Sequence, residues 1–209
     1  MIKDYFNAIP IASELTNFLL NDFEKETLLK FPYDFPALEK NIVAVSKEHR
    51  ILEHPNLKRI KNFIESKVAE YARDVICIKN NLRMTQSWST INKRGSRHHT
   101  HNHPNAFVSL VYYVDCDENS GDLVFVVDQS SIQQGYNFNL NVTTNNEYNS
   151  NAWTYKTLPG YISIFPGHIG HHTTVHNSDK DRIIIGANFF VEGTIGQLEN
   201  TDIMNITVK

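Results

Sequence analysis

The sequence predicts a mainly β fold, a sandwich or jelly-roll barrel, with α-helices from the N-terminal part packed outside it. Three observations carry this prediction. From about residue 80 onward, short runs of aromatic and β-branched residues recur between turn signals. The first third instead holds two apolar stripes at helical spacing. Eight of the ten histidines fall in two clusters far apart in sequence, each bracketed by strand-like apolar runs.

Taken in order, residues 13–30 place Leu15, Phe18, Leu19, Phe23 and Leu28 near helical spacing, with Ser13 as the cap. Phe31-Pro32-Tyr33-Asp34-Phe35-Pro36 then breaks the pattern. A second helix is expected over 55–72. Pro55 suits its first turn, and Leu57, Ile60, Phe63, Ile64 and Val68 form an apolar stripe opposite lysines and Arg59. Strands are expected over 85–92, 107–115, 123–127, 139–144, 153–158, 161–165 and 182–191, with a last one over 203–208. Turns fall at Asn119-Ser120-Gly121, Pro159-Gly160 and Asn177-Ser178-Asp179. The segment 129–151, rich in Asn, Gln and Ser, reads as a long polar hairpin or an excursion over a site mouth. No linker-like segment separates the helical part, 1–80, from the β part, 81–209, so the 209 residues read as a single domain.

The formal net charge of −3 gives no support for nucleic-acid or membrane binding, although Lys93, Arg94 and Arg97 make a local basic patch. No apolar run approaches the roughly 18–20 residues that span a bilayer. The N-terminal residues lack the apolar core of a signal peptide. Cys77 and Cys116 read as two reduced thiols, and a cytoplasmic protein is expected.

The histidines carry the chemistry. Neutral imidazole is the commonest protein ligand for a transition metal. On a strand, alternate residues face one side, so His101 and His103 can reach one ion; His99 and His101 could do the same in another register. His171 follows the stop at Phe165-Pro166, where a returning chain can bring it to the first cluster. Three nitrogen ligands with open positions suit a catalytic metal. His98, His168, His172 and His176 read as surface residues.

These pieces resemble a known group. Ser87-Trp88 through Lys93-Arg94-Gly95 is followed by His101-Asn102-His103-Pro104-Asn105 and Ser109-Leu110-Val111-Tyr112-Tyr113-Val114. Next come Ser120-Gly121-Asp122-Leu123-Val124-Phe125, the run from Pro159-Gly160 to Phe165-Pro166, and His171; last is Arg182 ahead of Gly186-Ala187-Asn188-Phe189. This order, over roughly residues 84–191, is similar to that of 2-oxoglutarate/Fe(II)-dependent oxygenases in which HxHP precedes a Tyr-Tyr strand. The resemblance implies a double-stranded β-helix, a cupin-like jelly roll. It also implies Fe(II), 2-oxoglutarate as co-substrate and O₂ as oxidant, with hydroxylation as the expected reaction.

On this resemblance His101, His103 and His171 are the metal ligands, and Arg182 pairs with the far carboxylate of 2-oxoglutarate. A planar guanidinium grips a carboxylate in two places, which lysine cannot copy. Tyr112 or Tyr113 would donate a hydrogen bond to that carboxylate, since only one of two adjacent strand residues faces inward. Ser109 and Asn188 are further pocket candidates, and Trp88 is either core or substrate-side wall. One departure stands out. The usual non-haem iron site has two histidines and one carboxylate, whereas His103 fills the carboxylate position. Either three histidines bind the iron, or Asp122 or Asp115 supplies the carboxylate. The competing readings are a cupin-type metal enzyme that does not use 2-oxoglutarate and a non-catalytic β-domain. The sequence leaves prime substrate and oligomeric state open.

Overall fold

In the computed structural model, the described residues are 9–35, 42–126, 143–144, 146, 150–196 and 202–208. Two antiparallel sheets face each other. The large sheet runs in the order β1 (Ala12–Leu15), β8 (Tyr161–Pro166), β5 (Val108–Asp115), β10 (Arg182–Ile195), β4 (Asn81–Asn92), β3 (Val43–Ser46) and β2 (Tyr33–Asp34), with β11 (Met204–Ile206) pairing the far end of β10. The small sheet holds β7 (Ala152–Tyr155), β6 (Leu123–Val126) and β9 (Gly170–Thr173), with β6 in the middle. Strands that pair at the centre of the large sheet are distant in the chain, β1 with β8, β8 with β5, β5 with β10 and β10 with β4, as a jelly roll requires.

The alternation of strand residues divides the apolar side chains between two cores. Tyr113, Leu123, Phe125, Tyr161 and Phe165 pack between the two sheets. Leu110, Tyr112, Ile162, Ile164, Ile185 and Phe189 face outward. Helix α2 (Lys58–Glu70) covers that outer face with Ile60, Ile64 and Val68, all buried. Each such side chain contributes about 1.5–3 kcal/mol when fully buried. A 3₁₀ turn, Pro55–Leu57, leads into α2, and a π turn, Tyr71–Val75, follows it, so the helix is shorter than the expected 55–72.

The N-terminal part departs further from expectation. Helix α1 spans only Asp22–Leu29, and β1 replaces the first turns of the helix expected over 13–30. Ser13 is therefore no cap; its hydroxyl meets that of Ser163 across the β1–β8 pair at 2.8 Å. The cap is Asn21. Its Oδ1 accepts the Glu24 N–H at 2.9 Å, and Glu24 Oε2 accepts the Asn21 N–H at 3.0 Å, a reciprocal box that fixes the helix start. Leu15, Leu19 and Phe23 are more than half exposed, so their spacing marks no buried helical face. The 1–80 part thus supplies three strands of the large sheet besides its helices.

Strand β4 starts earlier than the expected 85–92, and β10 runs beyond 191. Strands β7 and β11 are shorter than expected. Most of the strand expected over 139–144 lies outside the described residues. Strand β9 lies outside the expected strands, and it matters most, because it carries His171. Among the described residues, no helix is long and apolar enough to cross a membrane.

Candidate metal centre

The first histidine cluster lies alongside β9 as an almost strand-like segment. His101 and His171 exchange backbone hydrogen bonds, N–H to O=C, at 3.0 and 2.9 Å. The His103 N–H donates to Gly167 O at 2.8 Å and the Thr173 N–H to His98 O at 3.3 Å, which extends the alignment on both sides. Residues directly opposite in an antiparallel pair project to the same side. His101 and His171 therefore meet, and His103, two positions on, joins them. One ring nitrogen from each lies within 4.8 Å of the other two. His103 Nε2 and His171 Nε2 are 3.3 Å apart.

The backbone sets the tautomers. His171 Nδ1 sits 3.1 Å from Ile169 O, and His101 Nδ1 sits 2.9 Å from His99 O. A carbonyl only accepts, so each Nδ1 carries the ring proton, and each Nε2 keeps its lone pair for an ion. Phe165 packs on His171 with ring centres 4.7 Å apart, and Trp88 lies 5.5 Å from His103. This burial drives His171 down to about 3 and His103 to about 4, and it lowers His101 as well; the neighbouring imidazoles add to the effect. At neutral pH all three rings are in the neutral form that binds metal.

The same cavity holds Arg182, only 2% exposed. Its Nη1 donates to Ser120 O at 2.7 Å and its Nη2 to Thr173 Oγ1 at 3.2 Å. Among the described residues no carboxylate pairs with it. Tyr113 lines the same cavity, its phenol pushed above its ordinary range by burial while the Arg182 charge pulls the other way. A buried guanidinium with no counter-ion is costly, and an anionic ligand would remove that cost.

The donor set suits a borderline transition metal such as Fe(II). No acidic residue joins it among the described residues. Asp122 is held by Lys156 at 2.9 Å and Asp115 by Lys180 at 2.5 Å. Neither aspartate stands in a group of side chains that could share one ion, and the groups found among the described residues contain histidines alone.

Residues 86–188 match the family model described as "Putative 2OG-Fe(II) oxygenase". Over those residues, just under half of its length, the chain is similar to this oxygenase family. Iron(II) and 2-oxoglutarate are the metal and the co-substrate that the family's description names. No curated protein matches the chain. Among solved structures, the oxygenase is similar to HygX from Streptomyces hygroscopicus, which binds nickel and 2-oxoglutarate. That match has 10% identity, covers 87% of this chain and 82% of HygX, and has a TM-score of 0.59. It is similar to SnoK, a non-heme alpha ketoglutarate dependent carbocyclase from nogalamycin biosynthesis, with 12% identity, 89% and 81% covered and a TM-score of 0.62. It is also similar to a prolyl hydroxylase from Trichoplax adhaerens in complex with a hypoxia inducible factor peptide fragment, with 13% identity, 88% and 84% covered and a TM-score of 0.58. At such identities these likenesses show the fold, a double-stranded β-helix.

Several residues expected in the oxygenase pocket lie elsewhere. Tyr112 faces the outer core, where its hydroxyl donates to Phe18 O at 2.6 Å; Tyr113 is the inward one. Ser109 and Asn188 do not line the cavity. The Ser109 hydroxyl donates to Asn188 Oδ1 at 2.8 Å, and Asn188 Nδ2 donates to Gln86 Oε1 at 3.0 Å, so the pair braces the sheet. Trp88 does line it, seated against Gly186, where a Cβ would come within 2.4 Å of the indole. Three of the four histidines expected at the surface lie elsewhere: His176 is fully buried, and His98 and His172 line the cavity. Thr173, which holds both Arg182 and the His98 N–H, went unnoticed, although its place two residues after His171 on one strand face was a usable signal.

Proposed function

We propose that His101, His103 and His171 hold the iron, that Arg182 grips the far carboxylate of 2-oxoglutarate, and that the enzyme is a hydroxylase. The observation that supports this most is the convergence of three lone-pair imidazoles in the same cavity as an uncompensated buried arginine. When bound, iron(II) and 2-oxoglutarate supply the oxidising power, with one atom of O₂ ending in succinate and the other in the hydroxylated C–H position, and with CO₂ released.

The chain's own residues do the rest. Arg182 offers a fork of donors already oriented by Ser120 and Thr173, so little is lost in ordering it when the carboxylate arrives. Tyr113, whose phenol burial keeps protonated, lines the same cavity and would donate a hydrogen bond to the same group. Phe165, Leu123 and Phe125 keep the inner side of the site dry. Trp88, beside His103 and half-exposed, forms the wall on the side where a prime substrate would enter.

We further take the helical and β parts as one domain, because β1 and α2 both pack on the large sheet. We place it in the cytoplasm, because Cys77 and Cys116 are both free thiols.

The test is an anaerobic Fe(II) titration with and without 2-oxoglutarate. A visible charge-transfer band should require both. His171→Ala should abolish it. Arg182→Ala should keep it but raise the 2-oxoglutarate needed by roughly a hundredfold. A wild-type protein that binds no Fe(II), or an Arg182→Ala variant with unchanged demand, refutes the reading.

A further inference from the structure

A second trio of imidazoles lies just outside the first. His98, His99 and His101 also offer one ring nitrogen each, all within 4.8 Å of one another. Their ring centres are 4.3 Å (His98–His101), 5.1 Å (His98–His99) and 5.5 Å (His99–His101) apart. His101 belongs to both trios, with His171 4.3 Å away on its other side. Exposure falls along the series: His99 is exposed, His98 and His101 are half-buried, and His171 is buried. The outer trio borders a cavity of about 430 Å³ lined by Arg97, His98, His99, Thr100 and His172.

We propose that His98, His99 and His101 form a second transition-metal site, which shares His101 with the inner site and is occupied in exchange with it. The chemistry is that of an all-imidazole donor set, which suits Co²⁺, Ni²⁺, Cu²⁺ or Zn²⁺ with solvent completing the shell. Among the described residues no hydrogen-bond partner meets the buried Nδ1 of His98, so ring packing alone leaves a polar group unsatisfied there. Because one imidazole serves both positions, the two sites cannot be filled independently. The same sharing lets an ion pass from the exposed His99 side to the inner trio without losing every protein ligand at once. The inference rests on the proposed inner site only through His101.

The test is a double-mutant cycle read by Co²⁺ equilibrium dialysis and d–d absorption. His99→Ala breaks only the outer trio and His103→Ala only the inner. Wild type and both single variants should bind one Co²⁺ per chain. His99→Ala should weaken Co²⁺ binding less than about threefold in the wild-type background, but more than about tenfold in the His103→Ala background. Should His103→Ala fail a circular-dichroism check of folding, His103→Gln takes its place. Two ions per wild-type chain would overturn the proposal. So would equal effects of His99→Ala in both backgrounds, or a folded His103→Ala protein that binds no Co²⁺. The Fe(II)–2-oxoglutarate band separates the two failures. A flat cycle with the band present sinks this inference alone; a coupled cycle with no band sinks the inner assignment alone.

Discussion

On the proposed ligand set, His103 is where this chain departs from the usual iron site, and the difference is one unit of charge. A carboxylate there would lower the net charge of the centre; an imidazole leaves the full charge of the metal to attract a dianionic co-substrate. Replacing His103 by Asp should keep iron bound through His101, His171 and the new carboxylate. It should weaken 2-oxoglutarate by about tenfold or more, since charges a few ångströms apart still interact by about 1–4 kcal/mol in a partly wet site. Isothermal titration with Fe(II)-loaded protein checks this, and tighter binding would count against it. Gly121 makes a second residue-scale case. Its φ is +85°, and a Cβ there would come within 2.6 Å of Thr174 O and 3.0 Å of Arg182 Nη1. Gly121→Ala should therefore disturb the Arg182 seat and raise the 2-oxoglutarate requirement about tenfold at unchanged Fe(II) affinity, because strain of about 1–3 kcal/mol is felt at the guanidinium.

Among the elements, α2 is the clearest debt of fold to sequence. Its stripe was legible because a 3.6-residue period has no other use here, and Leu57, Ile60, Ile64 and Val68 are all buried. Ile64→Ala should cost about 2–5 kcal/mol in urea unfolding, with Fe(II) and 2-oxoglutarate affinities little changed, because the helix packs on the outer face and touches no site residue. Strands β1 and β9 were not legible. Each has four residues and, unlike β6 with Leu-Val-Phe-Val, no run of β-branched or aromatic side chains, and each exists because of what it pairs with. The choice of Tyr113 over Tyr112 has a similar origin. The β5–β10 register shifts between Ile183 and Ile184, and it is this pairing that sets Tyr113 opposite Ile184.

At the scale of the molecule, the site is a junction between the two sheets. His171 stands on the small sheet with the His101–His103 segment beside it, while Arg182 and Trp88 stand on the large one. On the proposed assignment, metal alone would tie groups on the small-sheet side, and 2-oxoglutarate would bridge both sides. Ligands that bind only the folded state raise its stability by mass action, about 2.7 kcal/mol at a hundredfold excess over Kd. Thermal unfolding with Co²⁺ should show a rise in Tm, and a further rise on adding 2-oxoglutarate. In Arg182→Ala the second rise should disappear while the first remains. A second rise of full size in that variant would show that the arginine does not hold the co-substrate.

The amino-acid sequence by itself determined the jelly-roll class and the outer helix, and it named the histidines and the arginine on which the proposed site rests, because alternation, helical period and residue chemistry are local properties. Only the tertiary structure decided that His171 stands across from His101, that Asp115 and Asp122 are tied to lysines, and that Tyr113 turns inward. Those depend on pairing between strands tens of residues apart, and a strand's partner and register are set by the whole buried core rather than by its own few residues.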